Sequence, residues 1–203
     1  GVVRMNEAKK IRNLSNKKIL LMQGIYSQDE LLEAKDLNLD IVVHNSDQFQ
    51  ILTDNNFYNN LWLKINTGMN RLGFEVKEFL EINDEHLHDK KFTLMTHLAA
   101  SNDKDSDSNK NQFKLFDDLS KKMNKDVDLS IANTGCIMNF PQYTYDWVRC
   151  GIGIYGGYFK DQEIKTAMTL RSPIVNIRQI KKGERVGYDG RALAQHDMSI
   201  ASV

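Results

Sequence analysis

The 203-residue chain is 41% hydrophobic and 27% charged, so it can bury the core of one large domain, or of one domain and part of another. Its 27 basic and 27 acidic residues are interspersed and give a formal net charge of zero, which argues against nucleic acid or an anionic membrane surface as a partner. Two cysteines are too few for a disulfide framework, and no apolar run reaches the roughly 18 residues of a membrane span. These features predict a cytoplasmic globular protein that binds neither nucleic acid nor membrane.

Short apolar runs alternate with amphipathic stretches through most of the chain. The six runs predicted as strands are Lys18–Met22, Asp40–Val43, Leu61–Ile65, Phe92–Thr96, Asp128–Ala132 and Trp147–Ile154. The predicted helices are Ser27–Asp36, Asp47–Asp54, Glu75–Ile82 and Asn111–Met123. Ser27 and Glu30 form a capping-box pattern at the start of the first of these helices. Alternating strands and helices indicate parallel βαβ units, in a doubly wound sheet or a (β/α)8 barrel, and we favour the barrel.

The character of the sequence changes near residue 164. Met168–Ile180 alternates and is rich in β-formers, Lys181–Glu184 has turn composition, and Arg185–Tyr188 resumes as a strand. We therefore predict a partial barrel over residues 1–164 and the beginning of an all-β domain over residues 165–203. The chain lacks an initiator methionine and stops before a sheet of usual size could close, so we expect it to begin and end within a longer protein. Two of the eight barrel strands would then lie upstream.

Two segments place polar groups at the ends of predicted strands. Leu63–Phe74 runs from a strand into a glycine-punctuated turn and presents two cations, Lys64 and Arg71, which together favour an anionic ligand. Ile131–Gly135 offers the Thr134 hydroxyl and a glycine-relaxed backbone, as in a phosphate cradle. Each segment is by itself also compatible with an ordinary strand-to-helix connection or a capped turn. In a barrel, however, such strand ends share one rim, and the late strands often bind phosphate.

Other stretches carry weaker indications. Ser101–Lys110 is nearly all polar, which is typical of a mobile solvent loop, and we assign it no chemistry. Gly151–Gly156 matches the dinucleotide pattern Gly-x-Gly-x-x-Gly, but it lies late in the chain and β-type sequence follows it. His97 at a strand end and Tyr188 in a turn are each more often structural when taken alone, and His44 has no obvious partner. No metal-ligand spacing occurs.

Several motifs together resemble alanine racemases, enzymes that use pyridoxal phosphate. The similar segments, in the family's order, are Leu63–Phe74, Thr96–Ala99, Ile131–Gly135, Asp146–Arg149, Gly151–Ile152 with Tyr155–Gly156, and Gly183–Tyr188. The resemblance covers nearly the whole chain. It implies an N-terminal (β/α)8 barrel, a C-terminal β domain, a homodimer, and interconversion of L-alanine and D-alanine, which feeds peptidoglycan precursors.

The resemblance also implies roles for individual residues around the cofactor. Thr134 takes the place of a phosphate-contacting serine, and backbone amides near Gly151 and Ile152 complete that cradle. Asn133 is assigned to the same cofactor site. Arg149 would face the pyridine nitrogen, where a permanent cation disfavours ring protonation and makes the ring a poorer electron sink.

A second group of residues is implied in proton transfer and in support of the cofactor. Arg71 would donate to the phenolic oxygen of the cofactor, and Lys64 corresponds to a lysine that the family often carbamylates to hold that arginine. Tyr188 matches the tyrosine that moves the α-proton on one face and acts in the other subunit's barrel. His97 would tune that tyrosine and bond onward to the ring-facing arginine.

One catalytic element of the family has no counterpart in the sequence. The segment Lys-Ala-Asn-Ala-Tyr-Gly, whose lysine forms the internal aldimine, does not occur. We therefore expect these 203 residues alone to be inactive and the complete protein to be the racemase. A broad-specificity or serine racemase and a non-catalytic barrel protein that binds pyridoxal phosphate remain as alternatives.

Overall fold

The computed structural model describes residues 1–123, 127–157 and 164–203. The chain divides into two compact units, Gly1–Ile164 and Lys165–Val203. Among the described residues, no helix combines the length and the apolarity that crossing a membrane would need.

The first unit is built on one parallel sheet of five strands that lie side by side in chain order. The strands are β1 (Leu20–Leu21), β2 (Asp40–Val43), β3 (Leu61–Lys64), β4 (Phe92–Met95) and β5 (Asp128–Ser130). All residues of β2, β3 and β4 are buried, as expected for parallel strands covered on both faces. A doubly wound sheet changes direction at a switch point, whereas a barrel places consecutive strands next to each other. The strand order therefore confirms the barrel architecture.

Helices precede, connect and follow the strands of this unit. They are α1 (Met5–Arg12), α2 (Gln28–Asp36), α3 (Ser46–Asp54), α4 (Val76–Ile82), α5 (Asp107–Ser120) and α6 (Thr134–Asn139), with shorter helical turns at Asn83–Leu87, Pro141–Tyr143 and Ile152–Tyr155. α2 begins as predicted, because the Ser27 hydroxyl accepts a hydrogen bond from the Glu30 amide. The sequence analysis missed α1 and α6. α1 is polar on most of its surface and buries only Ala8, so the apolar signal that indicates a helix is weak in this stretch.

The prediction of a sixth strand at Trp147–Ile154 was wrong. The segment starts beside β5, where the Arg149 amide donates to the Ala132 carbonyl over 2.8 Å. At Gly151 (φ −87°, ψ −90°) the backbone leaves the sheet direction, and Ile152–Tyr155 form a 3-10 turn. The glycine motif on this turn therefore does not join a strand to an α-helix, which a dinucleotide-binding fingerprint requires.

The prediction that Ser101–Lys110 is a solvent loop was also wrong in part. α5 begins inside this stretch at Asp107, and Ser101 and Asn109 are buried. The Asn109 side chain donates to two backbone carbonyls of the stretch, over 3.1 and 2.7 Å. A polar composition indicates exposure only when the polar side chains have no hydrogen-bond partners inside the protein. In this stretch Asn109 has such partners.

The sheet has two apolar faces. On one face, strand residues such as Ile41 and Leu63 belong to a core with helix residues such as Phe79 and Phe116. On the other, a small inner cluster comprises Val42, Trp62 and Met95, with Leu20, Met22 and Trp147 packed against it. This alternation along each strand is the pattern of a barrel wall, with one set of side chains facing the helices and the other facing inward.

The second unit consists of two antiparallel pairs of strands. β6 (Asn176–Ile180) pairs with β9 (Met198–Ser202), and β7 (Arg185–Val186) pairs with β8 (Ala192–Leu193). The β prediction for this region is therefore confirmed in type but was too long, since Met168 to Val175 lie outside any strand. β7 ends before Tyr188 because Gly187 adopts a φ of 77° and turns the chain into a 3-10 turn.

Candidate active site

The carboxyl ends of β3, β4 and β5 bring the predicted polar residues to one edge of the parallel sheet. Lys64 is the last residue of β3, His97 follows β4, and Asn133 and Thr134 follow β5. Arg149 joins this edge through its bridge to Asn133. A pocket of about 370 Å³ opens there and is lined by residues that include His97, Asn133, Thr134, Arg149 and Ile152.

The Arg149 guanidinium ties the strand ends together. Its Nη1 donates to the Ser130 hydroxyl, and its Nη2 donates to the Thr96 carbonyl and lies 3.4 Å from His97 Nδ1. Its Nε is buried and has no hydrogen-bond partner among the described residues. Burial lowers the pKa of Arg149 to about 10, because the charged form has lost water without gaining a carboxylate. Arg149 can therefore donate a hydrogen bond from Nε to an electron-rich group.

The charged groups that act on His97 are all cations. Burial is the main cause that lowers its pKa to about 4, and the positive charges of Arg149, Lys64 and Arg71 lower it further. The imidazole is therefore neutral at physiological pH, and it can act as a hydrogen-bond donor and acceptor.

Lys64 is buried with 6% of its surface exposed, although it carries an ammonium group. Burial, followed by the charges of Arg71 and Arg149, lowers its pKa to about 8. In the part of the chain that the structure describes, no carboxylate forms an ion pair with it. Arg71 is exposed, so the predicted pair of cations consists of one buried and one accessible charge.

Replacing Lys64 with methionine is expected to stabilise the cofactor-free protein at pH 7. The folded-state pKa is lowered, so the contribution of this lysine to stability rises with pH between about 8 and 10.5 and is lost as pH falls through that window. At pH 7 the buried ammonium costs on the order of 2 kcal/mol, which Lys64→Met removes. Urea unfolding at pH 7 and pH 10 measures this, with the exposed Lys17→Met as control. Equal stability of Lys64→Met and the parent protein at pH 7 would contradict it.

The residues predicted to form a phosphate cradle lie close together around the Thr134 hydroxyl. This side chain is buried, and its Oγ1 accepts a hydrogen bond from the Gly153 amide over 3.2 Å. The 3-10 turn that begins at Ile152 is thus fastened to the start of α6. A Cβ built on Gly151 would meet no atom within 4 Å, so open space lies beside this backbone. A Cβ on Gly135 would instead lie 2.4 Å from the Asn102 side chain, which shows how closely this wall is packed.

Ser101 fixes Asn133, although it was not predicted to belong to the site. The Ser101 hydroxyl donates to Asn133 Oδ1 over 2.6 Å, and the same oxygen caps α6 by accepting from the Cys136 amide over 3.1 Å. Asn133 Nδ2 donates to the Leu98 carbonyl and lies 3.4 Å from His97 Nε2. The Asn133 side chain therefore makes protein contacts on both its oxygen and its nitrogen.

Gln112 of α5 is a second residue that sequence analysis missed at the site. Its Oε1 accepts from the Ala99 amide, and its Nε2 donates to the His97 carbonyl and to Thr67 Oγ1. Gln112 precedes Phe113 at the start of the predicted helix, and the apolar spacing of that helix gives no signal for a buried polar side chain.

His44 has hydrogen-bonding partners in the structure, whereas Tyr188 is exposed to solvent. His44, for which no partner was foreseen, is buried and lies 3.1 Å from the Gln23 carbonyl and 3.2 Å from the Gln48 amide nitrogen. Tyr188 belongs to the second unit and is 98% exposed. No group of metal-binding side chains occurs among the described residues.

Two family models match the chain, the alanine racemase N-terminal domain over residues 1–159 and the alanine racemase C-terminal domain over residues 167–203. The chain belongs to the alanine racemase family. An alanine racemase of Vesicomyosocius okutanii is 34% identical over all of this chain, and one of Coxiella burnetii is 33% identical. The chain spans 59% and 60% of the lengths of these two relatives.

Solved alanine racemases share the fold. The Pseudomonas aeruginosa enzyme matches with a TM-score of 0.78 and 27% identity, over 98% of this chain and 59% of its own. The Acinetobacter baumannii enzyme matches with a TM-score of 0.73 and 28% identity, over 97% and 58%. The alanine racemase of Bartonella henselae, solved with covalently bound pyridoxal phosphate, matches with a TM-score of 0.75 at 22% identity and bears on the fold alone. A histidine racemase of Leuconostoc mesenteroides also has this fold, with a TM-score of 0.62 at 22% identity.

Proposed function

We propose that the complete protein is a pyridoxal phosphate-dependent racemase that interconverts L-alanine and D-alanine. The observation that carries the proposal is the convergence of Arg149, His97 and Thr134 on one pocket of an alanine racemase-type barrel. We further propose that it acts as a cytoplasmic homodimer and supplies D-alanine for peptidoglycan precursors.

The residues at the pocket fit the cofactor. The orphaned Nε of Arg149 is a donor that lacks an acceptor, and the pyridine nitrogen has a lone pair to accept it. The Thr134 hydroxyl and the open backbone at Gly151 and Ile152 suit the phosphate group. When bound, pyridoxal phosphate supplies an electron sink for the pair of electrons left when the α-proton of the substrate departs. A permanent cation beside the ring nitrogen limits that sink, which favours rapid return of a proton over side reactions.

His97 and Tyr188 are assigned to proton transfer. To move a proton, the Tyr188 hydroxyl needs a neighbour that can accept or donate a hydrogen bond while staying neutral. Neutral His97, kept so by burial and by Arg149, suits that task. The nearly complete exposure of Tyr188 leaves its phenol free to enter the barrel of another subunit, which supports a role in trans.

Lys64 and Arg71 are assigned to the support of the cofactor. A pKa of about 8 leaves a fraction of Lys64 as the neutral amine at pH 7, the form that reacts with carbon dioxide. Carbamylation would replace the buried cation with an anion and turn its repulsion of Arg71 into attraction. Arg71 would then be held to donate to the phenolic oxygen of the cofactor.

Racemisation by the complete protein tests the function. With pyridoxal phosphate added, the protein should interconvert the alanine enantiomers and exchange the α-proton for deuterium in heavy water. An amino-acid panel including serine and histidine measures specificity, since a histidine racemase shares this fold. Cofactor binding without α-proton exchange on any amino acid would instead favour a non-catalytic binding protein.

A further inference from the structure

Both ring nitrogens of His97 face hydrogen-bond donors. Nδ1 lies 3.4 Å from Arg149 Nη2, and Nε2 lies 3.4 Å from Asn133 Nδ2. A neutral imidazole carries one proton and one lone pair, so it can accept from only one of these two donors. The guanidinium is charged, and charge-assisted hydrogen bonds are roughly twice as strong as neutral ones. Arg149 therefore takes the lone pair at Nδ1, and the ring proton resides on Nε2.

The Asn133 amide cannot turn its oxygen towards this proton. Oδ1 accepts from the Ser101 hydroxyl and from the Cys136 amide, and the second of these contacts is the N-cap of α6. Nδ2 donates to the Leu98 carbonyl. Rotating the amide by half a turn would break all three bonds and set nitrogen against the Cys136 donor. The orientation of Asn133 is thus fixed by partners other than His97.

We propose that Ser101 and Asn133 form a positioning pair that keeps the Nε2 proton of His97 free for an oxygen acceptor in the pocket. The pair presents an NH2 group to Nε2 and withholds the nearby oxygen that would capture its proton. The charged groups that face His97 are Arg149, Lys64 and Arg71, all cations, so no anion competes for the proton either. The use of this proton in catalysis rests on the proposed racemase function, where the acceptor is the Tyr188 oxygen.

This assignment gives Asn133 a role through His97, as an alternative to its predicted role as a cofactor ligand. Three roles can be separated, since Asn133 could position His97, only cap α6, or contact the cofactor. Asp and Ser are both good N-cap residues, so neither substitution removes the cap. Asn133→Asp also keeps an acceptor for Ser101 but sets a carboxylate oxygen against Nε2. Asn133→Ser leaves nothing there, because its side chain is too short.

The first experiment follows the imidazole nitrogen shifts of His97 by NMR in the complete, cofactor-free protein labelled with ¹⁵N-histidine. In the parent protein, His97 should carry its proton on Nε2 and should have a pKa of about 4. Asn133→Asp should raise the pKa of His97 to roughly 6 or higher, because an opposite charge at this distance shifts it substantially. Asn133→Ser should leave the ring neutral. A proton on Nδ1 in the parent protein, or an unchanged His97 titration in Asn133→Asp, would overturn the proposal.

The second experiment measures kinetics and cofactor affinity with the loaded enzyme. Asn133→Asp should lower kcat on the order of 100-fold with little change in KM and shift the pH profile, whereas Asn133→Ser should lower kcat less and leave the pH profile in place. A role as cofactor ligand predicts instead that both variants weaken pyridoxal phosphate binding to a similar extent, and a pure capping role predicts no kinetic change; either result contradicts the positioning role. The NMR result stands even where no racemase activity is found, so the two proposals can fail separately.

Discussion

Gln112→Glu is expected to destabilise the protein by about 3–5 kcal/mol at pH 7, because it forces a carboxylate into a site arranged for an amide donor. Gln112 is 1% exposed. The Ala99 amide can only donate, so it fixes Oε1 as the acceptor and turns Nε2 towards the His97 carbonyl and Thr67. A glutamate would set an oxygen against the His97 carbonyl.

The hydrogen-bond chain beyond Gln112 has a fixed direction that the glutamate would also reverse. The Thr96 hydroxyl donates to the Ile65 carbonyl, so the 2.8 Å contact between the two threonine hydroxyls is donated by Thr67. Thr67 is then free to accept from Gln112 Nε2. The chain links the turn that carries Arg71 to the strand end that carries His97. Its disruption should therefore affect the site as well as the fold.

Chemical denaturation of Gln112→Glu, with Asn111→Asp as control, measures this effect. Asn111 is the exposed neighbour on the same helix and undergoes the same change of amide to carboxylate. Burial raises the pKa of a carboxyl group, so the variant's deficit should grow as pH rises above about 4.3 and shrink as pH falls towards it. A loss no larger than that of Asn111→Asp would show that α5 does not hold the His97 strand end.

The residues at the rim could be predicted from the sequence because the carboxyl ends of parallel strands meet at one edge. Lys64, His97, Thr134 and Arg149 all lie there. The partners of these residues could not be predicted in the same way. Ser101 meets Asn133 through a contact 32 positions apart in the chain, within a stretch whose composition indicates only exposure.

The strand prediction failed where local sequence and tertiary structure diverge. Trp147–Ile154 has the apolar run of a buried strand, and its first part does lie against β5. At Gly151 the chain then turns, and the Gly153 amide reaches the Thr134 hydroxyl. The residues predicted to shape the phosphate cradle are thus those that end the strand. Hydrophobic periodicity does not reveal this turn, because the apolar residues continue through it at Ile152 and Ile154.

Tyr188→Phe is expected to lower racemase activity of the complete protein by about 10²–10⁴-fold, the usual contribution of a positioned acid or base. Folding should be unaffected, since the side chain is 98% exposed and the substitution removes only its hydroxyl. In its proposed role the tyrosine serves one face of the substrate, so α-proton exchange with heavy water should be impaired more strongly for one alanine enantiomer than for the other. A rate within a few-fold of the parent enzyme would remove Tyr188 from the mechanism.

Mixing two inactive variants tests whether Tyr188 acts in the other subunit's barrel. Arg71→Ala serves as the barrel variant, because this exposed cation makes no described hydrogen bond and its removal should leave the fold intact. In a mixed dimer that works in trans, the intact barrel of one subunit receives the intact tyrosine of its partner, while the other site carries both defects. Random reassociation makes half of the dimers mixed, so activity should recover to about a quarter of the parent value. A tyrosine that served its own barrel would give no recovery at any mixing ratio, because each intact element would then face the defect of its own chain.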